Sequence, residues 1–168
     1  MTKLEKRIAR VKRALAKSRG GQDIPRQLRA AGITGKVTSG AFRSAFVAKD
    51  FVVKYQRDNY RRMSMESTLY REWQFISKMR KTVYKQNFPE TIYLKVGRLA
   101  VLLQEKVLMR TRKMPKTFDR HIHVDNLAFK LGIDDMHQDN YGWRETYPGV
   151  FVPVFIDVDY RPKNGFIR

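Results

Sequence analysis

Glu72 is the residue that most narrows what this chain can become. Residues 64–80 read as one helix, with Ser64 placed to cap it. At about 100° per residue with Glu72 at zero, Met65 falls at about 20°, Ile76 at about 40°, Leu69 at about 60° and Met79 at about −20°. The carboxylate therefore stands in the middle of the apolar face, whereas Glu66, at about 120°, lies on its flank. An unpaired carboxylate is costly to bury. The fold must bring a buried cation to Glu72. Trp73 and Phe75, on the same helix, read as core residues.

Two hairpins flank this helix in sequence. Ala45-Phe46-Val47 and Phe51-Val52-Val53-Lys54-Tyr55 are apolar β-forming runs separated by the polar turn Lys49-Asp50. Thr91 to Val96 and Leu99 to Val107 repeat the pattern around Gly97-Arg98. A helix over 118–131 ends at Gly132, and Val150 to Asp157 is a final apolar strand after a loop. There is no internal repeat and no low-complexity segment. The order of elements predicts an α+β fold, and 168 residues with 42% apolar side chains are enough for one real core.

The N-terminus differs in character. Thr2 and Glu5 form a capping-box pattern, and Leu4, Ile8, Val11 and Leu15 recur at 4, 3, 4 spacing as a narrow apolar stripe. Gly20-Gly21 is expected to stop this helix, and Asp23-Ile24-Pro25 to start a short second one ending near Gly32. Residues 1–30 carry ten basic and two acidic side chains, part of a chain total of 35 against 16 that leaves +19. Such a surplus attracts polyanions: nucleic acid, nucleotide phosphates, acidic proteins or an anionic membrane face. The helix is expected to pack its stripe on the body or on a second copy of the chain, or else to act as a basic arm on nucleic acid or an acidic partner. The absence of cysteine excludes disulfides, thiolate zinc sites and a cysteine nucleophile, and fits a reducing cytoplasm. No apolar run approaches the ~20 residues of a membrane span, and no signal peptide is expected.

The densest chemistry lies in Asp135-Met136-His137-Gln138-Asp139-Asn140, with Asp157-Val158-Asp159 after it. Acids and an amide at the ends of a helix and a strand supply the hard oxygen ligands that Mg²⁺ prefers. The apolar run Val150 to Ile156 would hold Asp157 rigidly at its end. By contrast His121 and His123, two apart on a helix, face different ways and do not suggest zinc. Tyr141 and Trp143 are expected to pack beside the loop rather than stack on bases.

Asp-x-x-x-x-Asn followed by a buried strand ending in Asp resembles the catalytic loop and metal-binding strand of the protein-kinase-like superfamily. Asp135 to Asn140 is most similar to the form found in aminoglycoside phosphotransferases. Upstream, Thr38-Ser39-Gly40-Ala41-Phe42-Arg43-Ser44-Ala45-Phe46 resembles the glycine-rich phosphate loop, with Gly40 kept and Thr38 and Arg43 in place of two glycines. Val52-Val53-Lys54 resembles the strand carrying the ATP lysine, and Leu99 to Val107 the strand leading to the adenine-binding hinge.

The resemblance implies ATP and Mg²⁺ as cofactors and assigns roles. Lys54 would hold the α and β phosphates and Glu72 would position Lys54. Ser39 and Gly40 would line the phosphate loop, backbone groups near Glu105 and Val107 would bind adenine, and Gln104 would be the gatekeeper. Asp135 would serve the acceptor hydroxyl, and Asn140 and Asp157 would hold metal, with the role of Asp159 open. It also implies residues 1–32 as a basic helical extension and 33–168 as a minimal kinase-like domain: an N-lobe of antiparallel sheet plus one helix, and a much-reduced C-lobe without an activation segment. Ile133-Asp134 stands where the family places His-Arg or His-Gly. The expected activity is that of a Ser/Thr protein kinase of phage type acting on a host or partner protein in the host cytoplasm. A reduced C-lobe would call for a partner, a dimer or the N-terminal helix to seat the substrate. The alternative is a catalytically inactive kinase-like binding protein that uses its basic surface, including Lys106 to Lys116, on nucleic acid or an acidic protein.

Overall fold

The computed structural model describes residues 2–40, 43–56, 65–108, 120–134 and 140–158, with the backbone alone at 65–67 and 120–123. The chain divides into two compact units, Met1–Trp73 with Glu90–Lys106 and Gln74–Pro89 with Val107–Arg168. The described residues are α+β. Among them no helix is long and apolar enough to cross a membrane.

The first unit begins with α1 (Lys3–Lys17). Its capping box is formed: the Thr2 hydroxyl accepts the Glu5 N–H at 3.2 Å, and the Glu5 carboxylate accepts the Thr2 N–H at 2.7 Å. The helix ends at Ser18, ahead of the two glycines, because the Ser18 hydroxyl and N–H turn back onto the carbonyls of Ala14 and Leu15. A single 3₁₀ turn over Gly21–Asp23 then leads into α2 (Ile24–Ala30), with Pro25 in its first turn. Asp23 accepts from Arg19, Arg26 and Gln27. The Arg26 hydrogen bond is the largest influence and, against burial, holds the Asp23 carboxyl down at about 2. Gly32, at φ 76°, makes the left-handed turn out of α2.

Five strands follow: β1 (Gly35–Ser39), β2 (Arg43–Ala48), β3 (Phe51–Gln56), β4 (Thr91–Val96) and β5 (Leu99–Glu105). They form one antiparallel sheet in the order β1-β2-β3-β5-β4. Both expected hairpins are present, though β5 stops at Glu105, two residues before the expected end. Strand β1 was not expected. Its sequence, Gly-Lys-Val-Thr-Ser, forms an exposed edge with no apolar alternation to announce it. Gly35 is required there, since a Cβ would lie 2.5 Å from Cε1 of Phe46.

Strand alternation sorts the side chains of the sheet. Phe46, Val53, Tyr55, Val101 and Leu103 join Val11, Leu15, Ile24 and Leu28 of the two N-terminal helices in one core. Residues 1–32 therefore supply buried side chains to the core of this unit. Lys54, between Val53 and Tyr55, leaves β3 on the opposite face and is itself buried.

The second unit contains the end of α3 (Met65–Met79), α4 (Arg120–Leu131) and a hairpin of β6 (Tyr141–Tyr147) and β7 (Val150–Phe155). Its core is Phe75, Ile76, Phe88, Val124, Ala128, Trp143 and Phe155. Phe88 packs on Phe75 and Phe155 with ring centroids 5.6 and 5.7 Å apart. Strand β6 replaces the expected loop. Its N-terminal half is buried and its C-terminal half alternates, so neither a continuous apolar run nor a full alternation marks it. As expected, Tyr141 and Trp143 pack in this core.

At the β2–β3 turn, Asp50 receives Lys3 at 3.1 Å and also Arg7, whose guanidinium lies over the Phe51 ring. Burial alone would raise the Asp50 carboxyl, but the Lys3 hydrogen bond and the charges of Arg7 and Lys3 outweigh it and hold it below the ordinary carboxylate value. A depressed folded-state pKa stabilises the fold at pH above the unfolded value of about 3.9 and is lost as pH falls through the folded value. Asp50→Asn should cost up to about 1 kcal/mol at neutral pH, discounted for the partial exposure of this pair. In urea unfolding, that difference from wild type should be flat from pH 5 to 8 and shrink in acid below the unfolded value.

Candidate functional site

In the first unit the buried cation that Glu72 demands is present, and a second, half-buried cation joins it. Lys54 Nζ donates to Glu72 Oε1 at 2.8 Å, and Arg43 Nη1 donates to the other oxygen, Oε2. Glu72 is only 2% exposed. Burying an ion pair is favourable only with close geometry and further hydrogen bonds. A carboxylate gripped at both oxygens by two basic side chains meets that demand. Strand pairing places both cations: Ala45 sits opposite Lys54, and Arg43 lies two residues back along β2, on the same side of the sheet. Arg43, read from the sequence only as a missing glycine, is the member of this cluster that the sequence pattern does not announce.

Arg43 also closes the β1–β2 connection. Its carbonyl accepts the Gly40 N–H at 2.8 Å, and the Ser39 and Ser44 hydroxyls lie 3.3 Å apart across the same strand ends. Among the described residues a Cβ at Gly40 would meet only the Arg43 carbonyl oxygen, at an ordinary 3.5 Å. Among the described residues, packing does not demand glycine there. Ala41 and Phe42 lie outside the described residues. On β5, Gln104 is buried and its amide reaches the Thr91 hydroxyl at 3.4 Å. The Glu105 N–H donates to the Glu90 carbonyl, and the Glu105 carboxylate accepts the Glu90 N–H. Lys106 donates to the Ala48 carbonyl.

The second unit brings Asn140 and Asp157 together. The Asn140 carbonyl accepts two N–H groups, from Ile156 at 2.9 Å and from Asp157 at 3.2 Å. Asn140 immediately precedes β6 and is buried, while Asp157, just past β7, is half-buried. The amide and carboxylate side chains thus start from backbones that touch. Val107, the other expected adenine contact, is also in this unit, with its Cγ2 against Gly142. Leu108 exchanges both backbone hydrogen bonds with Trp143, at 2.7 and 3.3 Å. A Cβ on Gly142 would lie 2.5 Å from Val107 Cγ2 and 2.8 Å from the Leu108 oxygen. Glycine is obligatory at 142 for segment 107–108 to lie against β6, and nothing in the sequence pattern signals it.

Asp135, Asp159, Ser64 and the basic positions Arg110, Arg112, Lys113 and Lys116 lie outside the described residues, as do the side chains of Glu66, His121 and His123. Among the described residues no three acids or histidines converge as a metal cluster. Asn140 and Asp157 nevertheless have the right chemistry for Mg²⁺, being hard oxygen donors on adjoining backbone.

No protein-family model matches the chain, and no curated protein sequence matches it. Among solved structures it is similar to the Rio2 kinase–ADP/Mg²⁺–phosphoaspartate complex from Chaetomium thermophilum, with 18% sequence identity and a TM-score of 0.48. The similarity covers 82% of this chain and 52% of that one, so the chain spans about half the length of that structure.

Removing Glu72 takes the shared carboxylate from two cations, whereas removing Lys54 leaves Glu72 with Arg43. Glu72→Gln should therefore destabilise by roughly 3–5 kcal/mol, and Lys54→Met by clearly less. Urea unfolding of the two variants ranks them. Gly142→Ala should cost about 1–3 kcal/mol through overpacking. In hydrogen exchange its damage should centre on the amides of Leu108, Trp143, Ile156 and Asp157.

Proposed function

We propose that this chain is an ATP- and Mg²⁺-dependent phosphotransferase, acting as a Ser/Thr protein kinase on a host or partner protein. The observation that carries the proposal is the buried Lys54–Glu72 pair. A lysine on an inner strand, oriented by a carboxylate from the following helix, is the arrangement expected of a phosphate-binding lysine. Its supporters are the order of the motifs along the chain and the Asn140–Asp157 contact.

In this proposal Glu72 holds the Lys54 ammonium in one direction, so that it meets the α and β phosphates with little further ordering. Gly40, which lacks a side chain, lets the backbone of the β1–β2 connection approach phosphate oxygens. Asn140 and Asp157 would hold Mg²⁺, which when bound neutralises charge on the β and γ phosphates. Asp135 takes the proton from the acceptor hydroxyl. The new bond joins the acceptor oxygen to the γ phosphorus, the bond from that phosphorus to the β–γ bridging oxygen breaks, and ADP leaves.

The test is a thermal shift with ATP, with and without Mg²⁺, on wild type, Asp157→Asn and Lys54→Met. Ligand at about 100 times its Kd stabilises by roughly 2.7 kcal/mol. That corresponds to several degrees for a chain of this size. A Mg²⁺-dependent rise absent from Asp157→Asn and reduced in Lys54→Met is expected. No rise in wild type would overturn the phosphotransferase and leave a binding protein.

A further inference from the structure

The apolar stripe of α1 has a counterpart that the phosphotransferase proposal does not use. Lys6, Arg10, Arg13 and Lys17 are all exposed and recur at 4, 3, 4 spacing, the same rhythm as Leu4, Ile8, Val11 and Leu15. With Lys6 at zero and about 100° per residue, the four cations fall between about −20° and 40°, and the apolar stripe between about 140° and 200°. The two stripes stand on opposite sides of the helix. Because Val11 and Leu15 are sunk in the core of the first unit, the cations point directly away from it.

This stripe works against the helix that carries it. Its 3- and 4-residue neighbours are one another, so Lys6–Arg10, Arg10–Arg13 and Arg13–Lys17 are all repulsive pairs, and the one acid on the helix, Glu5, is occupied in the capping box. A face serving only solubility would intersperse opposite charges. A bilayer is excluded as the partner because an interfacial helix needs its apolar face for the membrane, and here that face is buried. A protein partner would be met by aromatic or aliphatic anchors, but between the cations and beside them the helix offers only Ala9 and Ala16. A single nucleic-acid strand would be held by stacking on aromatics, which the stripe also lacks.

We infer that the exposed cationic stripe of α1, Lys6-Arg10-Arg13-Lys17, is a docking surface for the phosphate backbone of a nucleic-acid duplex. The four charges span about 16 Å of a rigid helix at successive rises of about 6, 4.5 and 6 Å. A duplex offers a rigid array of phosphates, one per about 3.4 Å of helix axis on each strand and about one charge per 1.7 Å of axis overall. Since α1 is seated on the sheet by its other side, it lies along the backbone instead of entering a groove. The contact reads no sequence. This inference stands independently of nucleotide binding at Lys54.

The test uses fluorescence anisotropy with labelled 20-base-pair DNA and RNA duplexes of random sequence, titrated with the full chain at several salt concentrations. Two variants are compared with wild type. One carries Lys6→Gln, Arg10→Gln, Arg13→Gln and Lys17→Gln together; the other removes four exposed cations elsewhere, Lys36→Gln, Lys81→Gln, Lys85→Gln and Arg98→Gln. The stripe variant should melt no lower than wild type, bind a duplex about 10²-fold more weakly at 0.15 M salt, and show a salt slope smaller by about 3. The second variant should bind nearly as wild type does. Equal losses in the two variants would overturn the inference, because the affinity would then belong to net charge. Binding to oligo-dT as tight as to either duplex would also overturn it, as would displacement of the duplex by polyglutamate at equal charge.

Discussion

A carboxylate buried at 2% exposure must be neutralised before anything around it can be dry, and in this chain that requirement ties three separate elements together. Glu72 comes from α3, Lys54 from the middle of β3 and Arg43 from the start of β2. Each contributes a group that would be unfavourable in that place without the others. The arrangement therefore specifies more than it stabilises: a one-residue slip of β2 against β3 would turn Arg43 to the other face of the sheet and leave half of the carboxylate unmet. The apolar face of the same sheet, packed on α1 and α2, provides cohesion without that selectivity.

The sequence was most legible where a residue type has few alternatives. A capping box, glycines that end helices or turn hairpins at 32, 97 and 132, and apolar runs around two-residue turns each have one ready explanation, and the helices and hairpins they mark are present. The helical wheel demanded a cation at Glu72 without knowing its source. What could not be read was set by contacts distant in sequence. β1 exists because β2 offers it an edge, and its own side chains carry no pattern. β6 hides because Gly142 and Arg144 interrupt its apolar run, yet Gly142 is there only because residues 107–108 lie against it.

Arg43 shows the same limit at the candidate site. Measured against a glycine-loop pattern it is a departure, a bulky charge where a small residue was anticipated. In three dimensions it grips the second oxygen of Glu72 while its carbonyl closes the turn from Gly40. One residue thus links the β1–β2 connection to α3. No motif comparison could have suggested this, because the information lies in the partner.

The double hydrogen bond onto the Asn140 carbonyl separates two kinds of constraint. Main-chain atoms hold the backbone of residue 140 against residues 156 and 157, and these two hydrogen bonds do not themselves depend on which side chains the positions bear. A lineage could exchange the amide or the carboxylate for another donor, altering the ion or group held there, while the scaffold stayed as it is. The chemistry of this corner is free to drift faster than its shape.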